Sequence, residues 1–145
     1  MRNRTKVLLT LALVLCALFG YRLATVGERF NADVDEIRNN PLGPLAKKTM
    51  VISLPDGRIY PVNYLKENNL VFMGIDGLWW RAFQGAGAPV TLLIQGTSYT
   101  GHARVVLDNP RYTEEVFARL RPSVPKWLPD ALNGKLVVIT LNETK

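Results

Sequence analysis

From Thr49 onward the side chains alternate with a period of two, and turn residues interrupt the pattern at short intervals. That pattern restricts this part of the chain to antiparallel sheet. Met50, Ile52 and Leu54 alternate with Val51 and Ser53, and Pro55-Asp56-Gly57 supplies the turn of a hairpin. On the return strand, Arg58 to Lys66, Arg58, Tyr60, Val62 and Tyr64 share one face, and Ile59, Pro61, Asn63 and Leu65 the other. Pro61 lacks a ladder donor, so this strand is predicted to lie at an edge or to bulge there. Glu67-Asn68-Asn69 turns the chain into a third strand, Leu70 to Gly74, and later strands are predicted at Val90 to Gln95 and Ser98 to Leu107, joined by a Gly96-Thr97 turn. Asp108-Asn109-Pro110 stops the last of these, and a helix follows over Tyr112 to Leu120 with Thr113 as its cap. Pro122, Pro125 and Pro129 then impose loop and a brief turn around Trp127 to Leu132. The final strand, Lys135 to Leu141, is continuously apolar at Leu136-Val137-Val138-Ile139. Such a run implies burial on both faces, hence a central or barrel-closing position. The fold class is mainly β: a small barrel closed by its last strand, with short helices.

The preceding 48 residues have a different character. Met1 to Lys6 is basic, Val7 to Tyr21 is apolar apart from Thr10, and Arg22 can snorkel so that Leu23 to Gly27 extends the apolar segment. The total, about 21 residues, matches a bilayer core of roughly 30 Å. A cleaved secretory signal has similar regions, but Thr25-Val26-Gly27 is a poor cleavage site and Leu13-Val14-Leu15 is unsuited to a lipoprotein cysteine at Cys16. A retained single-pass anchor is therefore the expectation. The three cations in the first six residues favour a cytoplasmic N-terminus, with the domain outside the cytoplasm. Arg22, Arg29, Arg38, Lys47 and Lys48 pull the other way. Phe30, Val34 and Ile37 recur at helical spacing, and Asn39-Asn40-Pro41 ends that pattern. The chain thus divides into an anchor or signal at 1–27, a juxtamembrane helix and linker at 28–48, and a barrel at 49–145.

Charge excludes several functions. The net charge is +6, from 18 basic and 12 acidic residues, but Arg2, Arg4, Lys6 and Arg22 all precede Gly27, where no acidic residue occurs. Removing those four leaves 14 basic against 12 acidic residues, and no basic stripe, so nucleic acid is not an expected partner. One cysteine and one histidine, His102, leave no set of zinc ligands and no disulfide framework. His102 reads as an ordinary strand residue. No nucleophile triad, paired-carboxylate motif or phosphate P-loop is present. Chemistry on such a chain would come from a bound cofactor.

The candidate site is the stretch from Val71 to Thr91. Gly74 ends a strand, Asp76-Gly77 turns, and Trp79, Trp80 and Arg81 follow in a short amphipathic segment. Aromatic faces stack on flat rings and a guanidinium pairs with phosphate or carboxylate, a combination suited to a flat anionic ligand. The competing reading makes both tryptophans core.

The order of pieces from Gly57 to Leu107 resembles the split β-barrel flavin-binding superfamily and is similar in particular to the deazaflavin-dependent nitroreductase family. The likeness rests on Asp56-Gly57-Arg58-Ile59-Tyr60-Pro61-Val62, the strand into Gly74, Trp79-Trp80-Arg81, and Gly87-Ala88-Pro89-Val90-Thr91 leading to Tyr99 and Ala103-Arg104-Val105-Val106. It covers about Thr49 to Leu141, about two-thirds of the chain. The resemblance implies a split β-barrel, FMN-binding-like, with deazaflavin or FMN as cofactor. It also implies a phosphate tail held by Gly74, Asp76, Gly77, Trp80 and Arg81, with Arg58 entering from the second strand. Such barrels often pair, which makes a homodimer an expectation. The chain departs from the pattern where the family has a longer loop rich in Gly, Ala and Pro: here only Ile75-Asp76-Gly77-Leu78 remain, with a carboxylate where phosphate would sit.

Two classes of function follow. The first is a membrane-anchored reductase passing hydride to a quinone or nitro compound. The alternative is a barrel without turnover, either a binding module for a small anionic or lipid-like ligand or a scaffold within a membrane complex.

Overall fold

In the computed structural model, residues 2–125, 127–128 and 134–142 are described. The chain divides into two compact units, Met1–Asp33 and Val34–Lys145. Helix α1 (Arg2–Asn39) supplies all of the described first unit and its last turns belong to the second. Its large apolar side chains from Val7 to Val26 stand exposed. The helix is long and apolar enough to cross a membrane, a property a signal sequence near an N-terminus shares. It ends at Asn39, two residues before Pro41, because the residue preceding a proline is driven out of the helical region. Of the predicted apolar stripe, Val34 and Ile37 are buried against Ala46 and Val51, whereas Phe30 is exposed.

The second unit is a closed barrel of six antiparallel strands: β1 (Thr49–Ser53), β2 (Ile59–Glu67), β3 (Leu70–Ile75), β4 (Ala88–Ile94), β5 (Thr97–Val105) and β6 (Lys135–Leu141). Around the barrel they run β1-β2-β3-β6-β5-β4, so the last strand enters between β3 and β5 and closes the sheet, as its apolar run predicts. Val71 faces Ile139 across one ladder and Ala103 faces Ile139 across the other. The interior is filled by Met50, Ile52, Val62, Val71, Met73, Leu92, Val137 and Ile139. Three strands of the wall are buried outside as well. The end of α1 covers Val51, and helix α2 (Pro110–Leu120) covers Phe72 and Leu136 with Val116 and Phe117. This outer cover explains why β1 and β6 read as nearly continuous apolar runs. Val138 is half-buried under α2 rather than fully enclosed.

Closure leaves no edge strand, yet Pro61 is accommodated. β2 pairs with β1 through 59–63 and with β3 only through 64–67. The Tyr64 amide donates to the Lys48 carbonyl on the β1 side, so alternation points the Pro61 nitrogen away from β1, where β3 does not reach. The β4–β5 turn is centred on Gln95 and Gly96, at φ 47° and 80°, rather than on Gly96-Thr97. Two positive φ values are what a type I′ turn requires. α2 is capped by Asn109, whose side chain accepts from the Tyr112 amide at 3.1 Å, with Pro110 at the first helical position. Asn109 displaces the predicted Thr113 cap because proline fits the first turn, where its missing donor is not needed. The turn predicted around Trp127 to Leu132 lies mostly outside the described residues.

Since Val34 and Ile37 hold the end of α1 to the barrel, a chain starting at Glu28 keeps every packing element of the second unit. It is expected to be soluble, monodisperse and β-rich by circular dichroism. Aggregation, or a disordered spectrum, would show that the barrel needs the preceding residues.

Candidate functional site

One end of the barrel gathers the residues that the resemblance assigns to a cofactor. Antiparallel order brings together the start of β2, the end of β3 and the starts of β4 and β6. Arg58 therefore lies at the same rim as Gly74, Asp76 and Gly77. The chain leaves β3 and forms a 3-10 helix, Leu78–Phe83, across this end. Phe83 is buried in the barrel core, and Trp79 and Trp80 pack half-buried against it. The segment is thus a plug, as its three aromatic side chains within five residues require.

The plug assigns the two tryptophans different roles. Trp79 stacks on Tyr60 with centroids 4.3 Å apart and planes 16° from parallel, and meets the Phe83 ring edge-on at 5.9 Å. Its ring is engaged in packing, the structural alternative in the sequence reading. Trp80 carries the Arg81 guanidinium over its ring at 5.9 Å, and Arg81 is exposed. Cation and indole therefore form one surface at the rim.

Arg58 is held by its own hairpin. Its amide donates to Asp56 Oδ1 at 3.0 Å and its Nε to Oδ2 at 2.7 Å. The amide bond foremost, joined by the guanidinium, lowers the Asp56 carboxyl below its ordinary value, and the carboxylate raises Arg58. A lowered carboxyl favours the folded hairpin above the ordinary carboxylate range, and that contribution fades as pH falls through the lowered value.

Asp76 has a partner that sequence reasoning missed. Arg121, just past α2, donates from Nη1 to Asp76 Oδ1 at 2.7 Å and from Nη2 to Oδ2 at 3.3 Å. The guanidinium also lies 5.1 Å from the Phe117 ring centroid, and its side chain is only 18% exposed. It rests directly on Gly74, where an added Cβ would come within 2.6 Å of Nη2. Gly134 bounds the other side, where a Cβ would meet Asp76 Oδ1 at 2.8 Å and Arg121 Nη1 at 3.1 Å. The two glycines leave the width of a guanidinium, and the negative charge of the shortened loop is compensated on the spot. No local signal marks Arg121, because it acts across 45 residues of sequence.

The loop from the plug into β4 is fastened from β5. His102 Nε2 lies 2.6 Å from the Ala86 carbonyl oxygen, and Arg104 donates to that of Gly85 at 3.3 Å. His102, read as an ordinary strand residue, is a loop tie. Among the described residues no group of three His, Cys, Asp or Glu side chains could hold a metal ion.

No family model matches the sequence, and no curated protein matches it. Solved structures do. A pyridoxamine 5'-phosphate oxidase-like protein from Listeria innocua superposes with a TM-score of 0.54 at 11% identity, over 66% of this chain and 85% of that one. An FMN-binding protein from Syntrophomonas wolfei aligns over 86% of this chain and 92% of its own at 11% identity and a TM-score of 0.38. An F420 reductase aligns over 68% and 91% at 9% identity and a TM-score of 0.39. The Listeria protein carries a likeness of fold alone, to the closed antiparallel barrel described above.

Proposed function

We propose that this chain is a membrane-anchored, flavin- or deazaflavin-binding reductase of the deazaflavin-dependent nitroreductase type, acting on a quinone or nitro compound. The observation that carries this reading is the Arg121 guanidinium seated on Gly74, at the place where the resemblance puts a phosphate tail. A phosphate fits that donor set. Arg121 presents a planar fork matched to phosphate oxygens, and the exposed Asp76 can release it to the stronger anion. Trp80 and Arg81 offer a flat face and a second cation, and Arg58, pre-oriented by Asp56, a third. A bound flavin or deazaflavin supplies hydride transfer. The protein's own groups bind, orient and, through the Phe83 plug, keep water out of the barrel. An apolar α1 in the bilayer suits a lipid-soluble acceptor.

A barrel that holds no cofactor is the second reading. It is favoured by the same site being self-satisfied, with Trp79 taken by Tyr60 and Arg121 by Asp76. Titration of the full chain in detergent with FMN and with a deazaflavin, followed by absorbance, separates the two. On the first reading wild type binds one of them, and Arg81→Ala weakens binding by about 1.5–3 kcal/mol, the scale of a hydrogen bond to a charged group, without lowering the melting temperature. Arg81→Lys recovers only part, since an ammonium does not reproduce the planar fork. Arg111→Ala, in an exposed pair with Glu115 on α2, leaves binding unchanged. Failure of wild type to bind either cofactor would retire the reductase and leave the scaffold.

A further inference from the structure

At the opposite end of the barrel the end of β2, the end of β4, the start of β5 and the linker before β1 surround a cavity of about 480 Å³. That lies within the roughly 300–1,000 Å³ of small-molecule sites, which barrels often place at their mouths. We propose that this mouth binds a phosphate group, independently of any cofactor at the other end.

Two observations point to an anion. First, the lining includes Lys47 and Lys66 and no carboxylate. Among the described residues all four ion pairs belong to arginines, Arg58, Arg111, Arg119 and Arg121, and none to Lys47 or Lys66. Second, the polar groups are arranged as donors. Lys66 Nζ is held by the Asn68 carbonyl at 2.9 Å and lies 5.8 Å from the Tyr99 ring centroid, with two of its three N–H bonds left over. The Tyr64 hydroxyl accepts from Gln95 Nε2 at 3.0 Å, so its own proton is free to donate. Tyr64 and Tyr99 pack on the barrel core and give the anion's organic remainder an aromatic wall.

The shared chemistry is a phosphate ester, carried by a soluble metabolite or by a phospholipid headgroup. The full chain, reconstituted in phosphatidylcholine nanodiscs, is titrated calorimetrically with inorganic pyrophosphate. Hydrogen exchange of segments 64–66 and 95–99 is compared with discs that also contain phosphatidic acid. Saturable pyrophosphate binding, weakened at least about tenfold by Lys66→Met or Lys47→Met, kept by Lys66→Arg and untouched by Arg111→Ala, supports the site with a soluble ligand. Slowed exchange with phosphatidic acid alone, abolished by Lys66→Met, supports it with a lipid. No binding and no protection by either probe, or effects indifferent to both lysines in folded variants, overturns it. Because flavin binding is read through Arg81 and this site through Lys47 and Lys66, the two proposals fail separately.

Discussion

Val137→Asp is expected to abolish folding of the barrel. Val137 is fully buried on the strand that closes the sheet, facing Met73 on one ladder and Val105 on the other. An unpaired carboxylate there has neither water nor a counter-ion, a penalty of several kcal/mol, against a total stability of about 5–15 kcal/mol for a domain of this kind. Far-UV circular dichroism should lose its sheet signal, and thermal melting its cooperativity. Two neighbours calibrate the result. Val138→Asp, half-buried under α2 with Phe72 and Phe117, should lower the melting temperature but leave a folded protein, since its carboxylate can turn to solvent. Thr140→Asp, exposed on the same strand, should stay within about 0.5 kcal/mol of wild type. If Val137→Asp melts like Thr140→Asp, β6 is not the closing strand and the barrel is wrong.

Gly87→Ala is the second large effect, and it links the fold to the candidate site. Gly87 has φ 78° at the entry to β4, and an added Cβ would overlap the Ala103 carbonyl oxygen. It would also lie 2.7 Å from Arg104 Cγ and 2.9 Å from His102 Nε2. The carbonyl is backbone in the β4–β5 ladder, where Ala88 faces Ala103, and cannot swing aside. Left-handed strain of about 1–3 kcal/mol adds to overpacking of about 1–3 kcal/mol. At roughly 4–8 °C per kcal/mol, the melting temperature should fall by about 8 °C or more. The displaced loop also loses its ties to His102 and Arg104, so any ligand binding at the plugged end should fall with it. Gly57→Ala is the control: φ is 88°, but nothing lies within 4 Å of the added atom, so only strain of about 1–2 kcal/mol applies. Equal effects at the two positions would mean that backbone conformation alone, and not the close approach to β5, decides the role of Gly87.

The strands were legible because alternation, turn residues and one long apolar run are local properties. Pro55-Asp56-Gly57, Asn68 and Gly96 sit at turns, and Leu136 to Ile139 alternate between the interior and the underside of α2. Errors arose where two local rules competed. Thr113 yielded the cap to Asn109 because Pro110 occupies the first turn, and Phe30 shares the helical spacing of Val34 and Ile37 yet stays exposed. The candidate site was half legible. Trp80 and Arg81 are sequence neighbours whose contact needs only the turn of a helix, and Arg58 is bound to Asp56 two residues away.

The sequence by itself therefore determined an apolar N-terminal helix, a six-stranded sheet closed by its last strand, and an aromatic-cationic segment after the third, since each follows from periodicity or composition within a few residues. Only the tertiary structure decided what those pieces face. Closure put Tyr60 beneath Trp79 and so took one tryptophan out of any ligand face. It laid Arg121 on Gly74 and against Asp76, turning an apparent negative charge into a compensated pair. It set Phe83 into the core at one end and brought Lys47 and Lys66 to one cavity at the other. Each of these joins residues about 20 to nearly 50 positions apart, and the relation between such residues exists only once the barrel has brought its strand ends together.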